Sequence, residues 1–225
     1  MISNAHVHKT NIDPLKDLVP VIQLERQPSV LAVHSSLSVH SLTELTALAK
    51  QQPGLRYATG GGINQQYMVA QWFARLAGIS FENVPYRGGG QAINDLIAGH
   101  VKIGLLGSTP LIPHHRAGTL RLLAQTMERR SPNLPEIPTF QEAGFKGLVS
   151  EQWVGAFVPA GTPTAIIARL NVEIGKALAD PAIRRRFLDA DQEPVGGSST
   201  QFAQFVHEEY ESYGRLTKEL NIKAE

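Results

Sequence analysis

The chain has 225 residues, 42% hydrophobic and 18% charged, a composition that excludes the disordered and collagen-like classes. Its 21 basic and 20 acidic side chains nearly balance, so there is no electrostatic footprint for a phosphate backbone or an anionic bilayer, and nucleic acid is not an expected partner. The absence of cysteine excludes disulfides, thiolate catalysis and thiolate zinc sites.

By length the chain could be one large domain or two small ones. Its longest apolar stretches, Ile103 to Leu106 and Trp153 to Val158, fall far short of the roughly 20 residues that span a bilayer. Residues Met1 to His8 show neither the basic nor the apolar region of a secretory signal, so none is expected in the sequence as it stands.

Val19 to Leu24 and Ser29 to Val33 are short, β-branched-rich runs on either side of Pro28, which predicts two strands meeting at a crossover. Ser41 is placed to cap a helix, with Glu44 as its capping-box partner and Leu42, Leu45 and Leu48 as the apolar face; Gln52-Pro53-Gly54 ends it. A strand at Leu55 to Ala58, a glycine turn at Thr59 to Gly62 and a helix from Asn64 to Ala77 follow, closed by Gly78. The unit repeats as Ile79 to Val84, Arg87-Gly88-Gly89-Gly90 and Gln91 to Ala98. Alternation of strand, turn and helix predicts an α/β fold on a parallel sheet. A third buried strand, Val101 to Leu106, leads through Gly107 and Ser108 to a helix reaching about Ala117 and a strand at Leu120 to Ala124. Arg130 to Pro138, with three prolines, reads as an extended linker. Beyond it come a strand at Trp153 to Val158, a helix with Thr162 as N-cap and Pro163 as its first residue, a second helix opened by Pro181, and a last one from about Thr200 to Leu220.

Two turns are placed to do chemistry. Gly60-Gly61-Gly62 and Gly88-Gly89-Gly90 each lie between a strand's carboxyl end and a helix's amino end, where unpaired N–H groups and the helix dipole attract anions. The same pattern also describes ordinary tight βα loops. Neither turn has dinucleotide or P-loop spacing. His114 and His115 are adjacent and point to different sides of a helix, and His6 and His8 have no acidic partner fixed nearby, so no metal is expected. Ser108 and Ser150 lack a nucleophile elbow, and Arg184-Arg185-Arg186 reads as a solvated helix face.

In this order the residues resemble the Bug or TctC-type extracytoplasmic solute receptors of tripartite tricarboxylate transport systems. The resemblance runs through Asp13-Pro14-Leu15-Lys16-Asp17, Leu55-Arg56-Tyr57-Ala58-Thr59, Val84-Pro85-Tyr86-Arg87-Gly88-Gly89, Arg116-Ala117-Gly118, Leu134-Pro135-Glu136-Ile137-Pro138-Thr139, Trp153-Val154-Gly155, Pro159-Ala160-Gly161-Thr162-Pro163 and Glu193-Pro194-Val195-Gly196-Gly197. It implies an α/β, type II periplasmic-binding-protein-like, two-lobed fold that captures a small organic carboxylate and delivers it to membrane permease subunits in the periplasm, without catalysis or cofactor. Residues 1–20 would be a remnant of lobe 1, 21–124 a complete lobe 2, and 125–225 the return to lobe 1. The ligand would meet Thr59, Gly61, Asn64 and Gln65 at one helix start and Gly88 and Gly89 at another. Gly107 and Ser108 would line the same cleft, with Gln152 and Trp153 facing it from the other lobe.

The departures carry expectations too. Ile63 replaces the family's second glycine in the first loop, and Leu106-Gly107 stands where an acidic and amide pair is frequent, removing a handle for an amino group. The expected ligand is therefore bulkier or less polar, with one carboxylate and no ammonium. The family's opening strand, Pro-Gly-Gly loop and helix have no counterpart here, so the first lobe is expected to lack its amino-terminal part and to be weakly ordered or association-prone. A cytoplasmic ligand sensor, and less so an enzyme on the same scaffold, are the competing readings.

Overall fold

The structure, a computed structural model, describes residues 2–8 and 11–222. The chain forms two compact units, one of Met1–Arg26 with Trp153–Glu225 and one of Gln27–Gln152. These boundaries differ from the expected 21–124 and 125–225.

The Gln27–Gln152 unit is built on five strands: β2 (Ser29–His34), β3 (Leu55–Thr59), β4 (Phe81–Pro85), β5 (Ile103–Gly107) and β6 (Leu120–Gln125), in the spatial order β4-β3-β5-β2-β6. β3 runs parallel to β4 and β5, as the strand, turn and helix repeat predicts. β2 runs antiparallel to both β5 and β6, so the sheet is mixed and not wholly parallel. β2 enters this sheet through Pro28 from β1 (Leu18–Gln27), which belongs to the other sheet. It is buried on both faces and lies inside the sheet, between β5 and β6.

Helices α1 (Leu42–Gln51) and α2 (Gln65–Ala77) cover one face of this sheet around Leu45, Tyr57, Val69 and Phe73; α3 (Gly89–Ile97) and α4 (Ile112–Arg116) belong to the other, around Val30, Ala92, Leu96 and Leu111. The starts follow local chemistry. Ser41 Oγ accepts the Glu44 N–H at 3.1 Å, while the Glu44 carboxylate accepts the N–H of His40, one residue further out than a capping box requires. Gly78 closes α2 at φ 63°, the left-handed conformation that favours glycine.

Residues 126–152 stay with this unit. Arg130 to Pro138 is a series of turns pinned by one side chain, not an extended linker. The fully buried amide of Gln125 donates to the carbonyls of Leu134 (3.0 Å) and Ile137 (2.7 Å) and accepts the N–H of Ser131 (2.7 Å). Phe140 and Leu148 then enter the core, with Phe140 and Phe145 edge-on to Phe73.

The other unit holds a three-stranded sheet in the order β7-β1-β8, with β7 at Gln152–Pro159 and β8 at Glu193–Gly196, together with α5 (Thr164–Ala179), α6 (Pro181–Asp189) and α7 (Ser199–Glu219). Asn171 ties α5 to the sheet by donating to the carbonyls of Val21 and Gly197. Its core is thin: Val21, Ile22 and Leu178 form one cluster, no residue of β7 is fully buried, and Ile166 and Val172 of α5 are 49% and 51% exposed. The expected cap at Thr162 is not formed. Its hydroxyl donates to the Pro159 carbonyl at 2.8 Å in the preceding turn, and Pro163 itself holds the N-cap position. α7 begins on a full capping box between Ser198 and Gln201.

Candidate functional site

Three parallel strands, β3, β4 and β5, end at the same rim of the Gln27–Gln152 sheet, and ligands of open α/β sheets bind outside such strand ends. The two glycine turns that follow β3 and β4 meet there. A Cβ built on Gly60 would lie 3.1 Å from Cα and 3.3 Å from N of Gly89, so glycine at 60 is what lets the turns touch.

At the first turn, Thr59 is fully buried, its Oγ1 3.1 Å from both the Gly61 carbonyl and Asn83 Oδ1. Asn64 caps α2 by accepting the Tyr67 N–H at 2.9 Å, and its Nδ2 lies beside Gly61, 3.1 Å from where a Cβ would be. The Gly60 N–H is taken by Gln66 Oε1 at 2.9 Å. Gln65 is engaged internally: Nε2 donates to Ser150 Oγ at 2.6 Å, and Oε1 lies 3.4 Å from Ser29 Oγ. The Ser29 N–H in turn donates to Thr126 Oγ1, so this network straps the start of α2 to β2 and to the segment after β6. Sequence reasoning named Gln65 but missed its partners: Ser29 and Thr126 went unremarked as side chains, and Ser150 was weighed only as a nucleophile, because their spacing along the chain carries no motif.

At the second turn, Gly88 is the N-cap of α3 and has no side chain to satisfy the first N–H groups of the helix. A Cβ on Gly88, Gly89 or Gly90 would meet nothing within 4 Å, and Gly88 sits at φ −177°, which any residue adopts. Neither packing nor conformation requires these glycines. What they leave is bare N–H-bearing backbone at a helix start, open to close approach by an anion.

At the end of β5, its last residue Gly107 and the fully buried Ser108 that follows lie one strand over from the first turn. Gln152 packs with this unit, its Oε1 2.9 Å from where a Gly107 Cβ would stand. Trp153 begins the other unit, where its indole N–H donates to Glu209 Oε2 at 3.1 Å and its ring is edge-on to Phe202 and Phe205. The structure thus gathers Thr59, Gly61, Asn64, Gln65, Gly88, Gly89, Gly107, Ser108 and Gln152 in one unit, with Trp153 in the other.

A cavity of about 180 Å³ in the same unit is lined by Arg56, Val84, Tyr86, Asp95, His100 and Val101. Burial, and then the Asp95 carboxylate 2.8 Å away, push the Tyr86 phenol up to about 12. That same hydrogen bond, followed by the one to His100, holds Asp95 below its ordinary value. Among the described residues no group of three or more His, Asp or Glu side chains is placed to hold a metal, and no helix is long and apolar enough to cross a membrane.

A family model described as "Tripartite tricarboxylate transporter family receptor" matches residues 1–222. The chain is 33% identical over 211 residues to the UPF0065 protein in the tcbD-tcbE intergenic region of Pseudomonas sp. strain P51, covering 93% of this chain but 63% of that relative, so it spans less than two thirds of the relative's length. Among solved structures it superposes on an R. palustris protein with adipate, with a TM-score of 0.93 at 30% identity over all of this chain and 76% of that one. It also superposes on MatC from Rhodopseudomonas palustris with bound malate, at TM-score 0.87 and 27% identity, over 96% of this chain and 74% of the other.

Proposed function

The chain belongs to the tripartite tricarboxylate transporter receptor family, and from that premise we propose that it is a solute-binding receptor for a small organic anion carrying one carboxylate and no ammonium. The carboxylate lies against the paired glycine turns, where the N–H groups at the start of α3 and around Gly61 and Asn64 receive it. The protein works in the periplasm, binds without catalysis, and hands its ligand to membrane permease subunits.

The observation that carries this reading is the run Gly88-Gly89-Gly90, which neither packing nor conformation demands. Support for a small organic carboxylate comes from the two neighbours, one holding adipate and one malate; both are dicarboxylates, so the restriction to one carboxylate rests on this chain's own Leu106-Gly107 departure. The ammonium is excluded because Leu106-Gly107 offers it no counter-charge.

Gly89→Asp tests the reading. An acidic residue in the first turn of α3 complements the helix dipole and should raise stability by about 0.3–1 kcal/mol. The same carboxylate occupies the cradle and repels the ligand. The expected result of calorimetric titration with four- to six-carbon carboxylates is binding to the unmodified chain and at least roughly ten-fold weaker binding to the variant, a ten-fold change being about 1.4 kcal/mol. Equal affinity in a folded Gly89→Asp chain, or no binding of any such carboxylate to the unmodified one, would refute it.

A further inference from the structure

The carboxyl end of β5 carries polar groups that the glycine cradle leaves unused. A Cβ on Gly107 would lie 2.9 Å from Oε1 of Gln152 and 3.8 Å from Oε1 of Gln27, so two amide oxygens flank the bare backbone at this point. The Gln27 oxygen is satisfied, accepting the Thr109 hydroxyl at 2.7 Å. The Gln152 oxygen is buried and has no partner among the described residues; neither has Oγ of Ser108, the next residue along from Gly107 and fully buried. Buried polar atoms in native proteins almost always have a partner, and an unmade hydrogen bond costs the equivalent of roughly five- to 150-fold in an equilibrium. One such atom is on the residue that follows β5 and the other lies beside the last residue of β5, at the rim where the glycine turns lie.

The register places this end within a small ligand's reach of the cradle. Ala58 pairs with Gly104, so Gly107 stands at the height of Gly61 on the neighbouring strand. With adjacent strands about 4.8 Å apart, β5 lies roughly 5 Å from the end of β3 and roughly 10 Å from that of β4, the span of a four- to six-carbon chain.

The donor and acceptor inventory then selects the ligand group. Gln27, Ser108, Thr109 and Gln152 are all uncharged. A second carboxylate could only accept, would leave the Gln152 oxygen without a donor, and would bring a charge to a cluster that holds no cation. An alkyl terminus would leave both buried atoms unsatisfied. A hydroxyl or primary amide both donates and accepts. Building on the receptor reading above, we propose that Gly107, Ser108 and Gln152 form a second subsite for the same ligand that selects an uncharged hydrogen-bonding group, making the ligand a hydroxy- or carbamoyl-carboxylate. Gly107 is the specificity position, because any side chain there displaces the Gln152 amide.

The test is calorimetric titration of the full chain with four- to six-carbon acids matched in length: the plain alkanoate, its terminal hydroxy and carbamoyl derivatives, and the dicarboxylate. The hydroxy or carbamoyl acid is expected to bind about ten-fold or more tightly than the alkanoate and the dicarboxylate. In Ser108→Ala and Gly107→Ala that ratio should fall toward one, whereas Gly89→Asp should weaken the whole series alike. Alkanoate or dicarboxylate binding as tight as the hydroxy and carbamoyl acids would overturn the subsite while leaving the carboxylate receptor intact. If no member of the series binds, the receptor reading fails and the subsite with it. Should the alanine variants not fold, the ratios measured on the unmodified chain decide the matter.

Discussion

Gln125→Met is the substitution that most directly tests how the Gln27–Gln152 unit is held together. The methionine keeps the length of the side chain and its burial, so little cavity opens, but it deletes the donations to Leu134 and Ile137 and the acceptance from Ser131. Each such bond contributes about 1 kcal/mol net, and each partner left buried without a replacement costs about 1–3 kcal/mol. Ser131, Leu134 and Ile137 are all buried, 6% exposed or less. The Leu134 carbonyl retains a second donor in the Ile137 N–H, so its share is the smallest. The expected loss is therefore about 3–5 kcal/mol, a large part of the 5–15 kcal/mol that stabilises a typical domain. The chain has two tryptophans, Trp72 and Trp153. A Trp153→Phe background leaves Trp72, inside this unit, as the fluorescent reporter for urea unfolding. A shift below about 1 kcal/mol would show that the turns of residues 130–138 are held by their own apolar contacts and that the Gln125 clamp is incidental.

Other measurements probe the remaining parts. Gly60→Ala drives a methyl toward the backbone of Gly89, which cannot yield as a flexible side-chain tip would; it should cost about 1–3 kcal/mol and weaken carboxylate binding, and unchanged values for both would disprove the contact between the turns. Amide exchange across β7, at the edge of its sheet with no fully buried residue, should be faster than across β2, which is flanked by β5 and β6 and buried on both faces; matching protection would contradict this. Tyr86 and Asp95 stabilise the fold at opposite ends of the pH scale. The raised phenol contributes fully below its ordinary value of 10.0 and its contribution is lost as pH rises through about 12; the lowered Asp95 contributes above its ordinary value of 3.8 and is lost as pH falls below it. Tyr86→Phe removes the main cause of the Asp95 shift, so an NMR titration should show that carboxyl moving back up, and an unmoved carboxyl would refute the coupling.

What the sequence disclosed and what it hid divide by range. The caps at Ser41 and Gly78 were legible because each acts on N–H or carbonyl groups within about five residues of itself, whereas Asn64, read as the first residue of its helix, is in fact its N-cap. The same local logic failed at Thr162, where the carbonyl of Pro159 competes for the hydroxyl. The direction of β2 was illegible because an apolar run reads the same both ways. Three prolines made residues 130–138 look extended, since nothing in that segment shows that a glutamine preceding it supplies the missing hydrogen bonds. At the site, the glycine turns stood out from the alternation of strand and helix. The strap through Gln65 did not, because its partners Ser29 and Ser150 lie 36 and 85 residues away.

That strap changes what Gln65 does. A glutamine at a helix start reads as a ligand donor, yet both ends of its amide are committed within the protein, and Ser29 is committed in turn to Thr126. Gln65 is therefore a positioning residue: it fixes the first turn of α2 against β2 and so fixes where Gly61 and Asn64 stand relative to Gly88 and Gly89. A cradle of backbone N–H groups has few rotamers to freeze when the anion arrives, and one whose two turns already touch at Gly60 and Gly89 needs little rearrangement. Affinity gained in this way comes from preorganisation more than from added contacts. The proposed subsite at β5 would work on the opposite principle, a ligand supplying the partners that the buried Ser108 and Gln152 oxygens lack. On the proposed reading, the preset cradle would receive the carboxylate and the unsatisfied strand end would discriminate among the acids that carry one.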